Sequence, residues 1–108
     1  MPSGAIKILV VDDDPAMRGV LDARLRNWGY IVDAAPDGTE AQRCAENKEP
    51  DLVISDVIMP GLSGLELLVA LKRGNPKRPV ILMTAAGTGL IVVAVLSWRT
   101  YSYSQSRL

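Results

Sequence analysis

The chain has 108 residues, which is room for one small domain, and its 48% hydrophobic and 22% charged content marks it as globular rather than disordered. Twelve basic and twelve acidic residues cancel, so no global charge draws it to nucleic acid; the lack of His excludes imidazole catalysis and His-ligated zinc. The lone Cys44 cannot close an intrachain disulfide, and Met1-Pro2-Ser3-Gly4 leads straight into a strand-like run with no signal peptide, so a cytoplasmic setting and no membrane contact are expected.

Taken in order, Ile6 to Val11 is a short β-branched run with the pattern of a strand buried on both faces. It ends in Asp12-Asp13-Asp14-Pro15, three carboxylates that repel one another unless a cation or hydrogen bonds offset them. Asp14 suits an N-cap and Pro15 the first helical position. Met17, Leu21, Leu25 and Trp28 then recur at helical spacing and read as a core stripe, stopped by Gly29. Tyr30 to Ala35 is a second strand, and Pro36-Asp37-Gly38-Thr39 a turn and cap. A short helix follows from Glu40 to Lys48, with Ala41, Cys44 and Ala45 inward; Cys44 reads as packing. Glu49-Pro50 ends it, since the residue before proline resists helical geometry.

Asp51 to Asp56 is the third strand, followed by the turn-rich Met59-Pro60-Gly61-Leu62-Ser63-Gly64. Leu65, Leu67, Leu68 and Leu71 define a third helix ended by Gly74-Asn75-Pro76, and Val80 to Thr84 is a fourth strand. This βαβαβαβ order predicts a parallel, doubly wound sheet with helices on both faces. Ligands of such sheets bind beyond the carboxyl ends of the strands, where Asp12, Asp13, Asp56 and Thr84 all fall. Clustered carboxylates with only oxygen donors suit Mg²⁺, and a carboxylate is a competent phosphoryl acceptor. Taken singly, Asp12 or Asp13 could be a helix cap and Asp56 a turn residue.

Three stretches together carry a resemblance: Ile8-Leu9-Val10-Val11-Asp12-Asp13-Asp14-Pro15, Asp51 to Asp56 with Met59 to Gly64, and Val80-Ile81-Leu82-Met83-Thr84-Ala85. Over about residues 5–88 the chain resembles the receiver domain of two-component response regulators. The resemblance implies a flavodoxin-like fold with strand order 2-1-3-4-5. It implies that Asp56 is the phosphoacceptor and that Asp12 and Asp13 hold Mg²⁺ with Asp56 and the backbone carbonyl of Ile58. Thr84 matches the hydroxyl that contacts the phosphoryl group and signals its presence. The implied partner is a histidine kinase or phosphotransfer protein, with no direct binding of nucleic acid. The domain would catalyse only its own phosphorylation and dephosphorylation.

The C-terminal end departs from that pattern. The resemblance implies a fifth strand ending in Lys-Pro and then a last helix, but no lysine follows Lys77. Leu90 to Leu96 is apolar on every side, too short for a membrane span, and readable as one buried strand. The expectation is a single receiver domain, C-terminally truncated, whose residues 89–108 form an atypical tail with an incomplete fifth strand and last helix. Codon arithmetic allows a cause. Read one base earlier, the overlap of Gln105 with an AG-type Ser106 codon encodes only Lys or Glu, and the Ser106–Arg107 overlap allows Pro. A frameshift after about Thr88 would therefore replace a native Lys-Pro end, and the gene sequence tests this.

Two other functions compete: a receiver-like scaffold or frameshifted fragment that no longer switches, and a Mg²⁺-dependent phosphohydrolase using Asp12-x-Asp14.

Overall fold

Strand β1 (Lys7–Val11) lies inside the sheet because its apolar run has two faces to bury. Ile8 and Val10 point to one side, Leu9 and Val11 to the other, as strand alternation requires, and all four are buried. The computed structural model describes residues 5–59, 61–85 and 91–96, with the backbone alone at 84, 85 and 91–96. After β1 come α1 (Pro15–Asn27), β2 (Ile31–Ala35), α2 (Gly38–Lys48), β3 (Leu52–Asp56), α3 (Gly64–Gly74), β4 (Val80–Ala85) and β5 (Ile91–Leu96).

The sheet order is β2-β1-β3-β4-β5, the order expected from the sequence. The first four strands run parallel, joined by helical crossovers. The fifth departs from a parallel sheet: β5 is antiparallel to β4, with Val80 opposite Leu96 and Ala85 opposite Ile91. Only residues 86–90 separate the two strands, whereas a parallel return needs a dozen residues or more. The apolar run is thus a strand, but its direction is reversed. The rest of the atypical tail, 97–108, lies outside the described residues, as do Met1 to Gly4 and Pro60.

Two cores sandwich the sheet. Leu9, Val11, Val53, Val80 and Leu82 meet Ala41 and Ala45 of α2 and Leu67 and Leu71 of α3, with half-buried Cys44 packed against them as expected. On the other face Ile8, Val10 and Val32 meet Leu25 of α1. That second core is thinner, and it corrects the expected α1 stripe: Leu25 is buried, but Met17 is 41% and Trp28 68% exposed. Among the described residues α1 alone covers this face, so Leu52 and Ile54 of β3 are only half-buried and the ends of α1 have nothing to close over them.

Local chemistry sets the helix ends. Asp14 caps α1, its carboxylate accepting the Ala16 N–H at 3.0 Å, with Pro15 first in the helix. Asp37 caps α2 through the Glu40 N–H. Ser63 and Glu66 form a reciprocal capping box at α3.

At the amino-terminal rim of the sheet, Lys72 is 1% exposed. Its ammonium donates to the Arg78 carbonyl at 2.5 Å and the Pro76 carbonyl at 3.4 Å, while Arg78 Nε donates to the Pro50 carbonyl at 2.8 Å. Burial, then repulsion from Arg78, pulls the Lys72 pKa down. Lys72 ties α3 to the α3–β4 loop, and Arg78 ties that loop to the α2–β3 loop. Lys72→Met keeps the stem and removes the donors, leaving a buried carbonyl unpaired; a loss of about 1.5–3 kcal/mol is expected in urea unfolding.

Candidate functional site

Parallel pairing sets Val11 of β1 beside Ser55 of β3, so the next residues, Asp12 and Asp56, lie side by side at the carboxyl ends of their strands. The chain goes from β1 to β2 on one side and on to β3 on the other, which makes this the switch point in strand order where open α/β sheets place ligands. Asp12, Asp13 and Asp56 each bring a carboxylate oxygen into one group, all within 4.8 Å of one another. The three acids singled out from the sequence are therefore together.

Two of the three are fixed by nearby backbone N–H groups. Asp12 is 4% exposed; its N–H donates to the Ala35 carbonyl and its Oδ1 accepts the Asp14 N–H at 2.9 Å. Asp13 is exposed, and Asp14 turns away to its capping role. Asp56 is half-buried, and its Oδ1 accepts the Ile58 N–H at 3.2 Å, which leaves Oδ2 without a partner among the described residues. That bond folds the chain back two residues past Asp56, bringing the Ile58 peptide to the carboxylate.

Two supporting residues were not evident from the sequence. Arg18 on the first turn of α1 donates from Nη1 to the Asp12 carbonyl at 2.8 Å, and no sequence signal marks a contact six residues apart. Gly64 opens α3 against the strand that bears Asp56: a Cβ there would lie 2.4 Å from the Asp56 carbonyl oxygen and 2.7 Å from Val57 Cα. The Gly64 N–H also donates to the Val57 carbonyl at 2.9 Å. The Ser63-x-x-Glu66 pattern, which fixes the helix start, is the sequence signal that could have found it.

Thr84 lies on β4, one residue beyond Met83, the partner of Asp56 in the β3–β4 register. Its backbone is thus next to the acids, while its side chain lies outside the described residues.

Burial pushes the Asp12 pKa up; the Asp14 N–H works against this, and repulsion from Asp56, Asp13 and Asp14 adds to it. Among the described residues the ion pairs are Arg26–Asp22 and Arg43–Glu40, so no side-chain cation neutralises the three acids. Lys72 and Lys77 sit by the start of β4, and Lys7 Nζ donates to the Lys48 carbonyl, so these four lysines gather at the far rim. An all-oxygen, uncompensated set of three carboxylates fits a hard divalent cation such as Mg²⁺. A cavity of about 390 Å³ between α2 and α3, lined in part by Leu71 and Arg78, shares no residue with this group.

Comparison with known proteins places these observations. The profile of the response regulator receiver domain matches residues 8–103. The chain is 40% identical over 80 residues to the probable transcriptional regulatory protein TcrX of Mycobacterium tuberculosis, covering 74% of this chain and 34% of that protein. It is 38% identical over 103 residues to the DNA-binding transcriptional regulator NtrC of a Bradyrhizobium strain, covering 95% and 21%. The chain therefore spans about a fifth to a third of the length of these relatives. Among solved structures, the chemotaxis response regulator CheY4 of Vibrio cholerae is similar with a TM-score of 0.73 and 32% identity, over 78% of this chain and 72% of that one.

Proposed function

The chain belongs to the family of response regulator receiver domains, and on that premise we propose that Asp56 takes a phosphoryl group from the phosphohistidine of a histidine kinase or phosphotransfer protein. The observation that carries this reading is the convergence of the Asp12, Asp13 and Asp56 oxygens within 4.8 Å at adjoining strand ends. Asp12, Asp13, Asp56 and the Ile58 carbonyl would hold Mg²⁺, which when bound supplies positive charge beside the phosphoryl oxygens.

The residues of the chain do the positioning. The Ile58 N–H occupies Asp56 Oδ1 and leaves Oδ2 to attack phosphorus. A bond forms from Oδ2 to phosphorus while the bond from phosphorus to the donor imidazole nitrogen breaks, its electron pair staying on the ring. Little else is needed, because phosphoryl transfer is governed by alignment and charge. Thr84, one residue past the partner of Asp56, supplies the hydroxyl that contacts the acquired phosphoryl group and biases the surface around it. Catalysis is limited to this self-modification and its reversal, in a cytoplasmic setting. No helix among the described residues is long and apolar enough to cross a membrane. The relatives named as transcriptional regulators are much longer, so any DNA contact belongs to segments beyond the matched region.

The test is acid-labile, base-labile label on the protein after incubation with acetyl phosphate and Mg²⁺. Wild type is expected to take up label, and Asp56→Asn to lose essentially all of it. A second reading, a scaffold that does not switch, is favoured by the lysines at the far rim and the reversed β5; an unlabelled wild type would support it. The phosphohydrolase alternative is disfavoured because Asp14, its required acid, is engaged as the α1 cap.

A further inference from the structure

We propose that the outer edge of β5 is an interface at which two copies of this chain pair antiparallel, joining their five-stranded sheets into one continuous sheet. The sheet order ends on β5, whose backbone pairs with β4 on one side. Among the described residues nothing pairs with its other side, so a row of N–H and C=O groups about 20 Å long faces outward. Such an edge is a template for another strand unless something blunts it.

The two edges of this sheet differ in that respect. β2, at the opposite edge, carries Asp33 at its centre and is followed by Pro36, both of which discourage edge pairing. β5 reads Ile91-Val92-Val93-Ala94-Val95-Leu96, with no charge, proline or glycine and four β-branched residues. That composition favours pairing between strands.

A second copy is the occupant that fits. Antiparallel pairing about the midpoint of Val93 and Ala94 sets Ile91 opposite Leu96, Val92 opposite Val95, and Val93 opposite Ala94, so every position meets an apolar residue. The formal net charge of zero leaves no overall repulsion between copies. One strand pair buries less than the roughly 1,200 Å² of stable interfaces, so the dimer should be weak, and a range from about 1 µM to about 100 µM is the one in which to look for it.

Sedimentation velocity and amide hydrogen exchange on the full chain, each run across that concentration range, test this. The expected result is a doubling of the 11.6 kDa mass with concentration. Exchange of the β5 amides should slow about tenfold in the same range, while β1 and β3 stay unchanged. Val92→Lys and Val93→Lys, which place a charge on each face of the strand in turn, should each remain monomeric with unaltered helical circular dichroism. The wild-type exchange data stand even if a variant fails to fold. A chain that stays monomeric throughout overturns the proposal. So do β5 amides protected equally at every concentration, which would mean that residues 97–108 of the same chain cover the edge. A continuous ladder of larger assemblies overturns the closed two-copy pairing.

Discussion

Gly64→Ala should lower the melting temperature by about 5–15 °C and weaken Mg²⁺ binding, although alanine is the better helix former. The reason is where the added methyl would go. It would sit 2.4 Å from the Asp56 carbonyl oxygen, 2.7 Å from Val57 Cα and 3.1 Å from the Asp56 carbonyl carbon, and all three are backbone atoms. A flexible side chain could swing aside, but here either α3 or the end of β3 must move. Overpacking of this kind costs about 1–3 kcal/mol and exceeds the propensity gain of up to about 1 kcal/mol. The displacement falls on the residue that carries the Asp56 carboxylate, so metal affinity changes along with stability. Gly19→Ala is the control. Gly19 lies within α1, exposed, with nothing within 4 Å of an added Cβ, and its replacement should stabilise by about 1 kcal/mol. Thermal melts with and without Mg²⁺ separate the two; equal behaviour of the two variants would refute the packing argument.

Asp12→Asn is expected to have opposite effects with and without metal. Burial raises the Asp12 pKa in the folded state above its unfolded value of 3.8. A carboxyl raised in this way contributes stability while protonated, and that contribution disappears as pH rises from the unfolded pKa through the folded one. At neutral pH the wild type therefore carries an ionised, buried group beside two other carboxylates. Asparagine keeps an Oδ1 acceptor for the Asp14 N–H and removes the charge. In metal-free buffer at pH 7 the variant should be more stable by about 1 kcal/mol, and the gap should close towards pH 4 and below. Added Mg²⁺ at about a hundred times its Kd should stabilise the wild type by about 2.7 kcal/mol. The variant should bind at least about tenfold more weakly, which reverses the order. Calorimetric melts in EDTA and in Mg²⁺ at several pH values measure both effects. A wild type more stable than the variant in EDTA at pH 7 would contradict this account.

Much of this arrangement is legible along the chain because one local rule governs each part. The run Ile8 to Val11 can only be a strand buried on both faces, and Asp14-Pro15 can only open a helix. That Asp12 and Asp56 share one rim follows from the alternation of strands and helices, and that their strands adjoin follows from the order the family resemblance implies. What the chain conceals depends on distance in space. Met17 and Trp28 share helical spacing with Leu25, yet whether that stripe is covered depends on what else reaches the same sheet face. The apolar pattern of Ile91 to Leu96 marks a strand but carries no direction, which is set by the length of the preceding connection. Lys72 reads as a solvated cation at the end of α3 and is buried because the α3–β4 loop folds back and presents the Pro76 and Arg78 carbonyls to it. Gly64 looks like any turn glycine until the opposing backbone is in place.

The reversal of β5 also bears on how the chain folds. Pairing β1 with β2, β1 with β3, or β3 with β4 requires first closing a loop that contains a helix, an entropic cost incurred before any contact repays it. β4 and β5 are separated by five residues and can meet as a hairpin, an event of about 1–10 µs. The two strands latest in chain order among the described residues are therefore the ones able to zip first in refolding from denaturant. That hairpin has no helix of its own, so its lifetime depends on how quickly β3 docks against β4. Mutations at Val53 or Val80, the first register pair of that docking, should slow refolding, whereas mutations in α1 should mainly speed unfolding.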